Sequence, residues 1–171
     1  MKMENLAAVP MRTQHALSIH LASGAAQGPT PQAAFDAALK DAGVTRCSRL
    51  RQSSLIPPYS TIVRAKHRTL PDDPDRQRYV VMSQMQQSRP GQHAHAGLGW
   101  VQRGDDGRGL FIDLHDDVRE RLERDLHAAF GAIAHFRDAA YGPVQTAFAS
   151  RLCNGLPVCA LVVAACAYEP W

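Results

Sequence analysis

At 171 residues, the chain has room for one domain and a sizeable buried core. A composition of 45% hydrophobic and 20% charged residues is ordinary for a soluble globular protein. The net charge of +3, with eight histidines, is mildly basic and lacks the dense basic patch that nucleic-acid binding requires.

The opening MKMENLAAVPMRTQH carries Glu4 and Arg12 and has no sustained apolar stretch, so it does not read as a secretory signal; residues 1–15 are expected to be disordered. Ala16 to Leu21 alternates as a strand would, and Gly24, Gly28 and Pro29 in SGAAQGPT are expected to break it. Thr30-Pro31 reads as an N-cap followed by proline at the first helical position. Ala34, Phe35, Ala38 and Leu39 then keep helical spacing until Gly43 stops the helix.

Arg46 to Gln52 is expected to be extended and to run into Ser53-Ser54-Leu55-Ile56-Pro57-Pro58, where two prolines stiffen the backbone just past a serine pair. Thr61 to Ala65 reads as a strand and Lys66 to Arg76 as a surface loop. Tyr79 to Gln86 and His93 to Arg103 are further strands, and Arg103-Gly-Asp-Asp-Gly107 is a hairpin turn into the strand Gly109 to Leu114. A helix from about Asp116 to Phe136 has an apolar stripe of Val118, Leu122, Leu126, Phe130 and Ile133. Two strands close the chain, Val144 to Cys153 and Pro157 to Tyr168. The second is apolar on both faces, as a covered strand is, and too short to span a bilayer. This order implies an α+β fold, a single layered sandwich of mostly antiparallel strands with two main helices across 1–171.

Cys47, Cys153, Cys159 and Cys166 form no CxxC pair, which fits reduced thiols in a cytoplasmic protein. His93 and His95 would share a strand face as metal ligands can, but no third ligand stands at a matching spacing, so no metal is expected. Arg46, Arg49 and Arg51 precede the serine pair. Facing a site they would favour an anionic substrate; facing solvent they are ordinary surface charge.

Three stretches together resemble the pyruvoyl-dependent arginine decarboxylases. They are Ser23-Gly24 with Gly28-x-Thr30-Pro31-x-x-Ala34-Phe35-Asp36-x-Ala38-Leu39 and Ala42-Gly43, then Ser53 to Pro58, then Gly109 to Leu114 with the long helix and terminal strand. A serine pair alone is common, and its usual reading is a solvated turn; in order and at this spacing it is far more specific. The likeness is dense up to Pro58 and thin between Tyr59 and Arg108.

The resemblance implies self-cleavage between Ser53 and Ser54, leaving residues 1–53 and a chain of 54–171 headed by a pyruvoyl group made from Ser54. It further implies decarboxylation of an amino acid, L-arginine to agmatine plus CO2, through a Schiff base on that group. Such a reaction needs an electron sink, and the chain has no GxGxxG or P-loop, with Lys2, Lys40 and Lys66 as its only lysines. By the same likeness Asp36, Leu39, Cys47 and Leu55 bind substrate, and Asp113 stands where the family carries a glutamate proton donor. Ser48 stands where the family carries an asparagine near the cut. Apolar neighbours Phe111, Ile112 and Leu114 would bury Asp113 and raise its pKa, while period-2 alternation equally allows it to be an outward-facing strand residue. A homotrimer with sites between neighbours is implied, with no nucleic acid and no membrane. Two other readings remain: a non-processing homologue serving as a trimeric binding or scaffold module, and a processed decarboxylase for a different amino acid.

Overall fold

A computed structural model describes residues 17–44, 50–51, 54–65, 77–136 and 140–168. In chain order its elements are β1 (Ser18–Gln27), α1 (Pro31–Asp41), β2 (Leu50–Arg51), β3 (Leu55–Ile56), β4 (Thr61–Arg64), β5 (Gln77–Gln87), β6 (His93–Gln102), β7 (Gly109–Asp116), α2 (Arg119–Phe136), β8 (Gln145–Leu152) and β9 (Val158–Tyr168). They form a five-stranded sheet ordered β2-β5-β9-β1-β4 and a four-stranded sheet ordered β3-β7-β6-β8. The β1–β4 and β2–β5 pairs are parallel and the remaining pairs antiparallel.

β9 holds the centre of the larger sheet because it is apolar on both faces. Val158, Ala160, Val162 and Ala164 share one buried cluster with Ala94, Ala96, Leu98, Trp100 and Phe111 of the four-stranded sheet. Cys159, Leu161, Val163 and Ala165 point the other way, into a cluster with Ala34, Ala38 and Ala42. On the far side of the four-stranded sheet, Phe130 packs with Val101 and Leu110. The layers therefore run α1, five-stranded sheet, four-stranded sheet, α2: the α+β sandwich that the order of elements implied.

α1 forms where its capping signals stand. Thr30 is extended and its Oγ1 accepts from the Ala33 N–H at 3.1 Å, Pro31 occupies the first turn, and Gly43 takes φ 82° just past the end. Two expectations are corrected. β1 runs through Gly24 to Gln27, because Gly24 marks a close approach and not a break. A Cβ there would lie 2.1 Å from the Ala38 carbonyl oxygen, and one at Gly28 would lie 2.6 Å from the Ala34 nitrogen. The absent side chains let α1 lie directly on the strand. The long helix begins at Arg119, not Asp116: Asp116 ends β7, and its Oδ1 accepts from the Val118 N–H at 2.8 Å, leaving Val118 exposed. The predicted loop at 66–76 and the N-terminal 1–15 lie outside the described residues.

Gly24→Ala is expected to destabilise the fold by about 3 kcal/mol, the upper range for overpacking, because backbone and not a flexible side chain must move. Urea unfolding measures this; an unchanged midpoint would mean that α1 does not sit this close to β1.

Candidate active site at the crossing between the sheets

β2 belongs to the five-stranded sheet, with Leu50 beside Arg78 and Arg51 beside Tyr79. β3 belongs to the four-stranded sheet, with Leu55 opposite Leu110 and Ile56 opposite Gly109. The chain thus changes sheets between Arg51 and Leu55, the interval that holds the serine pair. Five residues after Ile56, at Thr61, it returns to the five-stranded sheet as β4.

Ser54 is exposed, and its carbonyl oxygen accepts from the Phe111 N–H at 2.7 Å. That bond continues the β3–β7 register by one residue and sets Ser54 opposite Phe111. Directly opposed residues of an antiparallel pair share a face, and so do alternate residues of one strand. Ser54, Phe111 and Asp113 therefore share the face turned toward the five-stranded sheet. Ser54 and Asp113 are diagonal neighbours, about 7–8 Å apart in such a pair. Beyond Asp113, the Ser83 hydroxyl donates to the Leu114 carbonyl and accepts from the Gly97 N–H at 3.2 Å, fixing the backbone that carries the carboxylate.

The expected burial of Asp113 is not found in the single chain, where it is exposed. Ile112 packs with the cluster beneath α2, on the opposite face of β7 from Phe111, so only one of the apolar neighbours shares the carboxylate's side. Asp36 is exposed on α1, where its Oδ1 accepts from Gln32 Nε2 at 3.1 Å. Leu39 is half-buried against the α1 cluster, and Leu55 is 63% exposed. Because α1 covers the outer face of the five-stranded sheet, that sheet stands between Asp36 and the Ser54–Asp113 pair. One chain brings Ser54 and Asp113 to one face, turns Leu55 to the opposite face of β3, and leaves Asp36 and Leu39 apart. Cys47, Ser48 and Ser53, with the side chain of Arg51, lie outside the described residues.

Sequence reasoning missed Gln102. Its Nε2 donates to the Ser60 carbonyl at 3.0 Å and the Gly107 carbonyl at 2.9 Å, joining the segment after Ser54 to the β6–β7 turn. Tyr59, between these contacts, has φ 62°, and its N–H donates to the Asp106 carbonyl at 2.6 Å. A glutamine at a strand end carries no motif, and one of its partners, Ser60, lies 42 residues away in the chain.

Residues 18–169 match the family described as pyruvoyl-dependent arginine decarboxylase. Proteins named pyruvoyl-dependent arginine decarboxylase from two strains of Halobacterium salinarum are 40% identical to this chain over 117 residues, covering 64% of it and 71% of each relative.

His93 and His95 do share a face of β6, their rings stacked at 5.2 Å, and His95 Nδ1 lies 2.6 Å from Ser150 Oγ. Among the described residues, no group of three His, Cys, Asp or Glu is placed to hold a metal ion. Burial first, then the charges of His93 and Arg119, hold His95 below the ordinary imidazole value against the pull of Glu120 and Asp116. The folded chain thus binds this proton less readily than the unfolded one. Stability tied to neutral His95 is present above about pH 6.5 and is lost as pH falls below that value. The melting temperature should drop more steeply from pH 7 to pH 5 in the native protein than in His95→Gln; equal slopes would contradict this.

Proposed function

The chain belongs to the pyruvoyl-dependent arginine decarboxylase family, and we propose that it matures by cutting itself between Ser53 and Ser54 and then converts L-arginine to agmatine and CO2. The observation that carries the reading is the shared face of Ser54 and Asp113, on a strand pair pinned by the Phe111–Ser54 hydrogen bond. It gives the reacting residue a fixed carbonyl, an open side and an acid within reach.

In the cleavage step the Ser54 hydroxyl oxygen attacks the carbonyl carbon of Ser53, and the peptide C–N bond breaks to leave an ester and a free amino group on residue 54. Loss of the Ser54 Cα proton then expels the Ser53 carboxylate, so residue 54 becomes dehydroalanine. Water replaces its nitrogen, ammonia leaves, and a ketone remains at position 54. A backbone N–H already engages the Ser54 carbonyl, which restricts rotation on that side of the link; attack benefits when its geometry is set beforehand.

The residues around Ser54 fit such a group. It would sit at the exposed start of β3, with the former Ser54 Cβ as its methyl group and with Asp113 exposed on the same face. Such a ketone would supply the electron sink that decarboxylation of an amino acid needs. Asp113 is assigned the return of a proton to the substrate Cα, a task for a positioned acid. Asp36 is assigned to the guanidinium, which a carboxylate meets through paired hydrogen bonds. Since a whole sheet separates Asp36 from Ser54 within one chain, the reading places Asp36 of a neighbouring copy at each site, in a homotrimer. The buried free thiols Cys153 and Cys159 suit the cytoplasm. No helix among the described residues is long and apolar enough to cross a membrane.

Ser54→Ala should stay a single polypeptide and release no CO2 from arginine. Asp113→Asn should still be cut while its kcat falls by about a hundredfold or more, the usual contribution of a general acid. Asp36→Asn should chiefly raise KM for arginine. CO2 release measured across the common amino acids checks all three; strong release from a different amino acid would move the substrate assignment, and full activity of Ser54→Ala would end it.

A further inference from the structure

We propose that Gln102 is a positioning residue for the self-cleavage, gripping the segment downstream of Ser54 through its carboxamide; this rests on the reading of Ser53–Ser54 as the cleaved link. β3 is only two residues long, and a strand this short at a sheet edge has too few backbone bonds to fix its own register. Something else must hold residues 54–60 where β7 can meet them.

The hold lies at Gln102. One amide nitrogen donates to the Ser60 carbonyl and the Gly107 carbonyl together, at 3.0 and 2.9 Å. Beside it the Tyr59 N–H bonds the Asp106 carbonyl. The turn that supplies these acceptors is braced from within. Arg103 Nη2 donates to Asp105 Oδ2 at 2.6 Å, Arg108 Nε donates to Asp106 Oδ2 at 2.7 Å, and the Asp106 and Arg108 backbone N–H groups donate to the same two carboxylates. The held loop in turn carries two local costs. Tyr59 sits at φ 62°, a left-handed conformation that favours glycine, and the Ser60 hydroxyl is buried with no hydrogen-bond partner among the described residues. Such costs persist only where surrounding contacts over-determine the conformation, and they gather at functional sites. Here they fall within six residues of Ser54. The clasp and the Phe111 N–H thus grip the segment at its two ends, fixing the backbone that carries the Ser54 hydroxyl.

The full chain, made by cell-free synthesis and followed by intact mass, gives the rate of conversion to two chains. Gln102→Met keeps the length and removes both donors; it should slow conversion by about ten- to a hundredfold, as expected for ångström-scale misplacement. Gln102→Glu distinguishes placement from stability. Its ionised carboxylate would face two carbonyl oxygens, whereas its neutral form can donate to one, so conversion relative to the native chain should recover as pH falls from 8 to 5. Native-rate conversion of Gln102→Met, or a slow Gln102→Glu without that recovery, would overturn the proposal while leaving the cleavage reading intact. A native chain that never divides would remove both.

Discussion

The hydrogen bond from the Phe111 N–H to the Ser54 carbonyl is the contact on which the site depends. It stands where the chain leaves the five-stranded sheet and enters the four-stranded one, and it aligns β3 on β7 at the register that brings Ser54 and Asp113 to one face. That pairing lies within the four-stranded sheet. The larger supplies β2 and β4, on either side of the crossing, while the smaller supplies the strand with the carboxylate. The inter-sheet cluster around Val162, Leu98 and Trp100 holds the two at a fixed separation. The proposed site thus lies at a seam held by the core between the two sheets.

The resemblance carried by three short motifs now has a physical basis in the described residues. Gly24 and Gly28 are where α1 presses on β1. Thr30 and Pro31 start the helix, and the terminal apolar run fills the sheet centre. Each of these shapes the frame and not the chemistry. The residues proposed to carry the chemistry lie on exposed ground: Ser54, Asp113 and Asp36 are all open in one chain. Exposure at all three is what a site completed by another copy of the chain would require.

Much of the fold was legible because its signals are local. The Thr30 cap, the Gly107 turn and the two-faced apolar pattern of β9 each depend on residues within a few positions of one another. Gly24 misled because a glycine in a strand signals either a break or a close neighbour, and only the position of α1 decides. Asp116 misled because one carboxylate can both end a strand and cap the turn that follows. Period-2 alternation left the direction of Asp113 open, and pairing with β3 and β6 resolves it. The sheet change at the serine pair had no local trace. It follows from Arg51 meeting Tyr79 and Leu55 meeting Leu110, pairings that only tertiary structure sets.

The account rests on position 54 ceasing to be a serine. Intact-mass measurement of the purified native protein tests this most directly. It should find one chain ending at Ser53 and another of residues 54–171 whose first residue has lost its amino nitrogen and carries a ketone. A single mass matching the unbroken chain, with serine still at position 54, would contradict it.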